Sequence, residues 1–165
     1  VGIFKGKIMS NTKPVGVAYS DPDLSGGTIE NTPIGASVPN SVVGTTVYAT
    51  TEIGYGTAAE GAVTQLTDKS TGVTLNKSAG RITMNNAALA GATAVSFILT
   101  NSLISTNDTI IVCVSSNTTG SAAGAYTTYV SYLAAGSALI TLRNLTASTS
   151  YSEAVIINYA IIHGQ

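Results

Sequence analysis

From Val63 onward the chain reads as short segments rich in β-branched residues, separated by turn-forming Gly, Asn, Asp, Ser and Thr. This pattern predicts strands at about 63–67, 72–76, 80–84, 94–101, 109–116, 125–133, 137–144 and 153–163. Strands at such spacing point to an all-β fold, an antiparallel sandwich or barrel, of which a jelly-roll-like β-sandwich is the arrangement expected. Within "AVSFILT", Val95, Phe97 and Leu99 form one face and Ala94, Ser96 and Ile98 the other. Within "SALITLRNLT", Ala138, Ile140 and Leu142 oppose Leu139, Thr141 and Arg143, which sends Arg143 outward. "AVIINYAIIHG" is apolar on both faces, as expected of a strand central in its sheet or buried against a neighbouring subunit. The one helix candidate, "NNAALAGA" at 85–92, is short and stopped by Gly91, so a turn or loop is expected there.

The first part of the chain lacks such periodicity. Pro14, Pro22, Pro33 and Pro39 all fall in it, with "DP" and "GG" between them. The reading is an extended amino-terminal arm over 1–52 and a β-sandwich domain over 53–165. Forty extended residues span on the order of 130 Å, and an unstructured segment of this length wants either a partner to lie on or no fixed conformation. A short β segment is expected in "TTVYATT" at 45–51, followed by a tight bend at Gly54 and Gly56.

Composition narrows the function. Only 9% of the 165 residues are charged and the formal net charge is −1, against about 25% charged in an ordinary soluble domain. Residues 109–142 carry no charge at all. The basic patch of a nucleic-acid binder is missing. Every apolar run is cut within a few residues by Thr, Ser, Asn or Gly, well short of the roughly 20 that span a bilayer. The opening "VGIFKGKIMSNTKPVG" has no apolar signal stretch, so synthesis and folding in a cytoplasm are expected. A single cysteine rules out an internal disulfide and a cysteine-based zinc site.

Candidate chemistry is sparse. Cys113, within "TIIVCVS", is expected in the core, and a thiol enzyme would need the lone histidine, His163, as its base. A glycoside hydrolase would need a carboxylate pair drawn from Glu52, Glu60, Asp68, Asp108 and Glu153. Asp68 and Asp108 read as turn residues, and Glu153 as the solvent-exposed start of the last strand. Asp21, Asp23, Ser25 and Gly26 match the first half of a calcium loop, but Thr32 stands where a bidentate Glu is needed, so a turn is expected. "TEIGYG" is similar to a potassium-channel filter but has no membrane helices around it. Sequons at Asn76, Asn107, Asn117 and Asn144 read as turn chemistry. More informative are Tyr126, Tyr129 and Tyr132 in "AYTTYVSYL", whose spacing puts Tyr126 and Tyr132 on one strand face and Tyr129 on the other. Tyrosine combines large apolar area with a polar tip and is enriched at interfaces.

The runs "GYGTAAEGAVTQLTDKSTGVTLNKSAGRITM", "AVSFILTNSLI", "LAAGSALITLRNLT" and "SEAVIINYAIIHG" together resemble small tailed-phage virion proteins, a group that includes capsid decoration (cement) and head or tail appendage proteins. The resemblance covers about 53–164, with Ala138 where Phe is usual and His163 where a basic residue is common. "KPVGVAYSDPDL" and "ENTPIGASVPN" are similar to the segments that precede such domains. The resemblance implies a β-sandwich displayed on the virion as a symmetric homo-oligomer, a trimer for example. It implies no catalysis, cofactor or metal. The expected partners are the major capsid protein and further copies of the chain. Candidate oligomer contacts are Tyr126, Tyr129, Tyr132 and Tyr159, and candidate capsid contacts on the arm are Phe4, Lys7, Tyr19, Ile34, Val42 and Tyr48. The alternative is a tail fibre, knob or head appendage that touches the host surface.

Overall fold

Alternating apolar and polar positions fold into two sheets of four strands. The computed structural model describes residues 46–116 and 124–164, and the β-domain falls within the unit Ala49–Gln165. Its strands are β1 Glu60–Thr64, β2 Val73–Thr74, β3 Ala79–Thr83, β4 Ala94–Thr100, β5 Thr109–Ser116, β6 Tyr126–Ala134, β7 Ser137–Asn144 and β8 Ile156–Ile162. Sheet A has the order β1-β3-β8-β5 and sheet B the order β2-β4-β7-β6. Each predicted strand has its counterpart, though β1 begins at Glu60 rather than 63 and β8 at Ile156 rather than 153.

The faces follow the alternation. Phe97 and Leu99 of β4 and Ile140 and Leu142 of β7 are at most 1% exposed, as are Ile82, Ile157 and Ile161 of sheet A. Residues from both sheets share this one core cluster, and each such side chain contributes about 1.5–3 kcal/mol by leaving water. Arg143 faces solvent. Strand β8 is central, between β3 and β5, which accounts for its dense apolar sequence. Residues 85–92 contain no helix, as expected.

The sandwich is not wholly antiparallel. β1 pairs with β3, and β2 with β4, in parallel. Parallel neighbours need a crossover of a dozen or more residues; the chain leaves sheet A after Thr64, contributes β2 to sheet B, and returns as β3. The remaining pairs are antiparallel. Glycine matters at two places. A Cβ at Gly80 would lie 2.6 Å from Leu75 Cδ2 and 2.7 Å from Tyr159 Cε1, so its absence seats the Tyr159 ring. Gly136, with φ +78°, closes the hairpin between β6 and β7.

No strand forms over 46–51, and Gly56 is extended at φ −74° rather than bent. The chain enters β1 through a 3₁₀ turn, Thr57–Ala59. The proposed arm up to residue 45, with the calcium-like stretch, lies outside the described residues.

Candidate functional site

Strand β6 decides what the domain presents to a partner. Tyr126 pairs with Asn144, Tyr129 with Thr141 and Tyr132 with Leu139, and the register shifts between Val130 and Tyr132. Ser131 is thus an extra residue, a β-bulge. Because Thr141 and Leu139 are two positions apart on β7, they share a face, and so do Tyr129 and Tyr132. Spacing alone put these two tyrosines on opposite faces; the bulge corrects that by reversing the alternation after Ser131.

The outer face of sheet B carries Tyr129 at 46% exposure and Tyr132 at 66%, with Ile98 at 51% and half-buried Leu139 between the neighbouring strands. A row of hydroxyls crosses the same face. Ser96 Oγ and Ser131 Oγ each lie 2.8 Å from Thr141 Oγ1, and Ser131 Oγ also donates to the Leu139 carbonyl at 3.2 Å. These bonds satisfy the polar groups within the sheet and leave aromatic and aliphatic area facing out. Arg143 stands at one end of the face. Covering such a surface desolvates few charges, which is the costly step in forming an interface.

The other two candidate tyrosines turn inward, which corrects their expected place at a subunit contact. Tyr126 is 8% exposed and packs edge to face on Tyr151, with ring centroids 6.2 Å apart. Its hydroxyl is buried with no hydrogen-bond partner, and burial, followed by the adjacent Glu153 carboxylate, raises its pKa. Tyr159 is 4% exposed. Its hydroxyl lies 3.2 Å from the Leu75 carbonyl and 3.0 Å from that of Lys77, and Asn101 Nδ2 donates to it at 3.4 Å. Burial pushes the Tyr159 phenol up to about 12. Of the arm candidates, Tyr48 is 89% exposed. Phe4, Lys7, Tyr19, Ile34 and Val42 lie outside the described residues.

Cys113 is exposed, against the expectation of a core residue. Ile110, Val112 and Val114 pack on the core, and alternation turns Cys113 outward. It pairs with Asn158, five residues before His163. At about 3.3 Å per residue that is roughly 16 Å, too far for a thiol and its base. Carboxylates fare no better as a catalytic pair. Asp108 directly precedes β5, at the Ile162 end of β8, whereas Glu153 precedes the Ile156 end. The length of β8 alone, about 20 Å, exceeds the 5–9.5 Å that glycosidases use.

The surroundings of the two carboxylates differ. Asp108 does sit in a turn, accepting from Ser105 N at 2.8 Å and Ser105 Oγ at 2.9 Å. Glu153 is 6% exposed, which overturns the solvent-edge reading, and its Oε1 has no hydrogen-bond partner. Beside it Lys69 is buried, with Nζ donating to the carbonyls of Asn85 at 2.5 Å and Glu153 at 2.6 Å. Burial lowers the Lys69 pKa, partly offset by the Glu153 charge. Nothing in the local sequence marks this cluster, because its members come from three separate loops. Asp68, as expected, holds a turn by accepting from Ser70 N at 2.8 Å. Among the sequons, Asn144 is fully buried and donates to Leu89 and Thr149 carbonyls, so its carboxamide is structural.

Among the described residues no group of three or more His, Cys, Asp or Glu is placed to hold a metal, and no helix is long and apolar enough to cross a membrane. Fold and surface together define an all-β sandwich with an exposed tyrosine-bearing sheet face. No match to the chain was found among family models, curated proteins or solved structures.

Proposed function

We propose that the chain is a structural protein of a phage virion, a capsid decoration protein that binds the outer surface of the head. In this reading copies of the β-domain meet through the outer face of sheet B, as a trimer or another symmetric oligomer. The amino-terminal segment meets the major capsid protein. The observation that carries it is the pairing of exposed Tyr129 and Tyr132 over an internally satisfied hydroxyl row. Support also comes from the sequence resemblance, whose motifs span about 53–164, and from the sparse charge of a chain suited to packing against itself.

Several copies per oligomer multiply weak contacts to the shell through avidity, so a small domain can brace a large lattice. The test is made on virions. Densitometry of purified particles should give hundreds of copies, and particles lacking the protein should release their genome at lower temperature or pressure. A copy number of a few to dozens would favour a fibre or knob, and unchanged release would remove the bracing role.

A further inference from the structure

The outer face of sheet A holds a feature that assembly through sheet B does not use. A cavity of about 580 Å³ is lined by Ile53, Tyr55, Ile111, Ala160, Ile162 and His163. Its floor is built by the sheet: Ile111 and Ala160 are direct cross-strand partners, and Ile162 lies two residues along the same face of β8. Its wall is the segment that leads into β1, tied down where the Tyr55 hydroxyl donates to the Ile161 carbonyl. The volume falls in the range of about 300–1,000 Å³ typical of small-molecule pockets, which combine apolar walls with few oriented polar groups.

His163 supplies the oriented polar group. Its Nδ1 lies 3.2 Å from Asp108 Oδ2, and the Asp108 side chain is only 1% exposed. Asp108 also accepts from Ser105 N, Ser105 Oγ and, at 3.1 Å, Gly164 N. The Ser105 backbone bond foremost holds its carboxyl at about 2, well below the ordinary range. An ionised carboxylate only accepts, so Nδ1 carries a proton towards Asp108 and, in the neutral form of the ring, the lone pair is on Nε2. Tyr55 has already committed its hydroxyl to Ile161. The lining therefore offers an apolar body site and one fixed acceptor, beside a permanent negative charge that disfavours anions.

We propose that this cavity binds a small uncharged ligand with an aliphatic or aromatic body and a single hydroxyl or amide donor. The body lies on Ile111, Ala160 and Ile162, and the donor bonds to His163 Nε2. The site is independent of the virion reading and stands or falls without it.

The probes are 1-naphthol and 1-methoxynaphthalene, which share a ring system and differ in the donor, titrated into the full chain by calorimetry. Both should bind saturably, the naphthol about fivefold tighter, as one net hydrogen bond provides. His163→Phe should erase that preference while the methoxy compound still binds. Ile162→Lys, at a position 55% exposed in the fold, should weaken both probes about tenfold or more. Absence of saturable binding, or a preference that survives His163→Phe, would overturn the proposal. So would binding that weakens as protein concentration rises, because a second copy would then be filling the cavity.

Discussion

Tyr126 and Tyr159 on one side, Tyr129 and Tyr132 on the other, are the same residue put to two uses. The inner pair fills the core, and the outer pair is 46% and 66% exposed on the outer face of sheet B. Tyr159 satisfies its hydroxyl on main-chain carbonyls and Asn101, while the Tyr126 hydroxyl is buried unpaired. Residue type alone does not separate these fates. A single bulged residue, Ser131, decides which face Tyr132 joins, so surface character in this domain depends on register as much as on composition.

That contrast can be broken from either side. The largest effect is expected from Tyr159→Ala, which empties the space that Gly80 leaves for the ring and removes the hydroxyl's bonds to main-chain carbonyls; urea titration should show a loss of about 3–5 kcal/mol. Deleting Ser131 should give strict alternation along β6 with Tyr129 and Tyr132 still together on the outer face, and should remove the two hydrogen bonds of its hydroxyl at a cost of about 1–3 kcal/mol. Tyr159→Phe keeps the ring and removes the hydroxyl, for about 1–2 kcal/mol.

The same variant has a pH signature. The folded chain holds the Tyr159 proton up to about 12, whereas an unfolded tyrosine releases it near 10. Its contribution is therefore present in full below about pH 10 and is lost as pH rises towards 12. Melting temperatures across that window should fall less steeply in Tyr159→Phe than in the parent chain. The outer pair should behave differently. Tyr129→Ala and Tyr132→Ala should each shift monomer stability by no more than about 0.5 kcal/mol. The smallest change is expected for Tyr126→Phe, which removes an unpartnered buried hydroxyl and should be neutral or slightly stabilising by the same titration.

Much of the fold was legible in the sequence, because strands with one buried face write their period into it. Ala138, Ile140 and Leu142 against Arg143 is such a case, and β8 announced its central place by being apolar on both faces. The pairing direction was not legible: parallel β1–β3 follows from a chain that visits sheet B between the two strands, and no residue in 65–78 encodes that. Nor was the bulge, since serine is an ordinary strand residue and only the partner register on β7 exposes the extra position. Glu153 and Lys69 were misread or passed over for a related reason. Each is polar by type, and its burial depends on a loop roughly eighty positions away. At the candidate site, Tyr129 and Tyr132 were named from sequence as interface residues, whereas Tyr126 and Tyr159 were indistinguishable from them until their faces were known.

Whether copies of the chain meet through the outer face of sheet B is open to direct measurement. Sedimentation equilibrium of the full chain, beside Tyr129→Arg/Tyr132→Arg, addresses this directly. The expected result is a discrete oligomer for the parent and a monomer for the double variant, with matching circular dichroism. A parent that stays monomeric at high concentration, or a variant that assembles as the parent does, would contradict it.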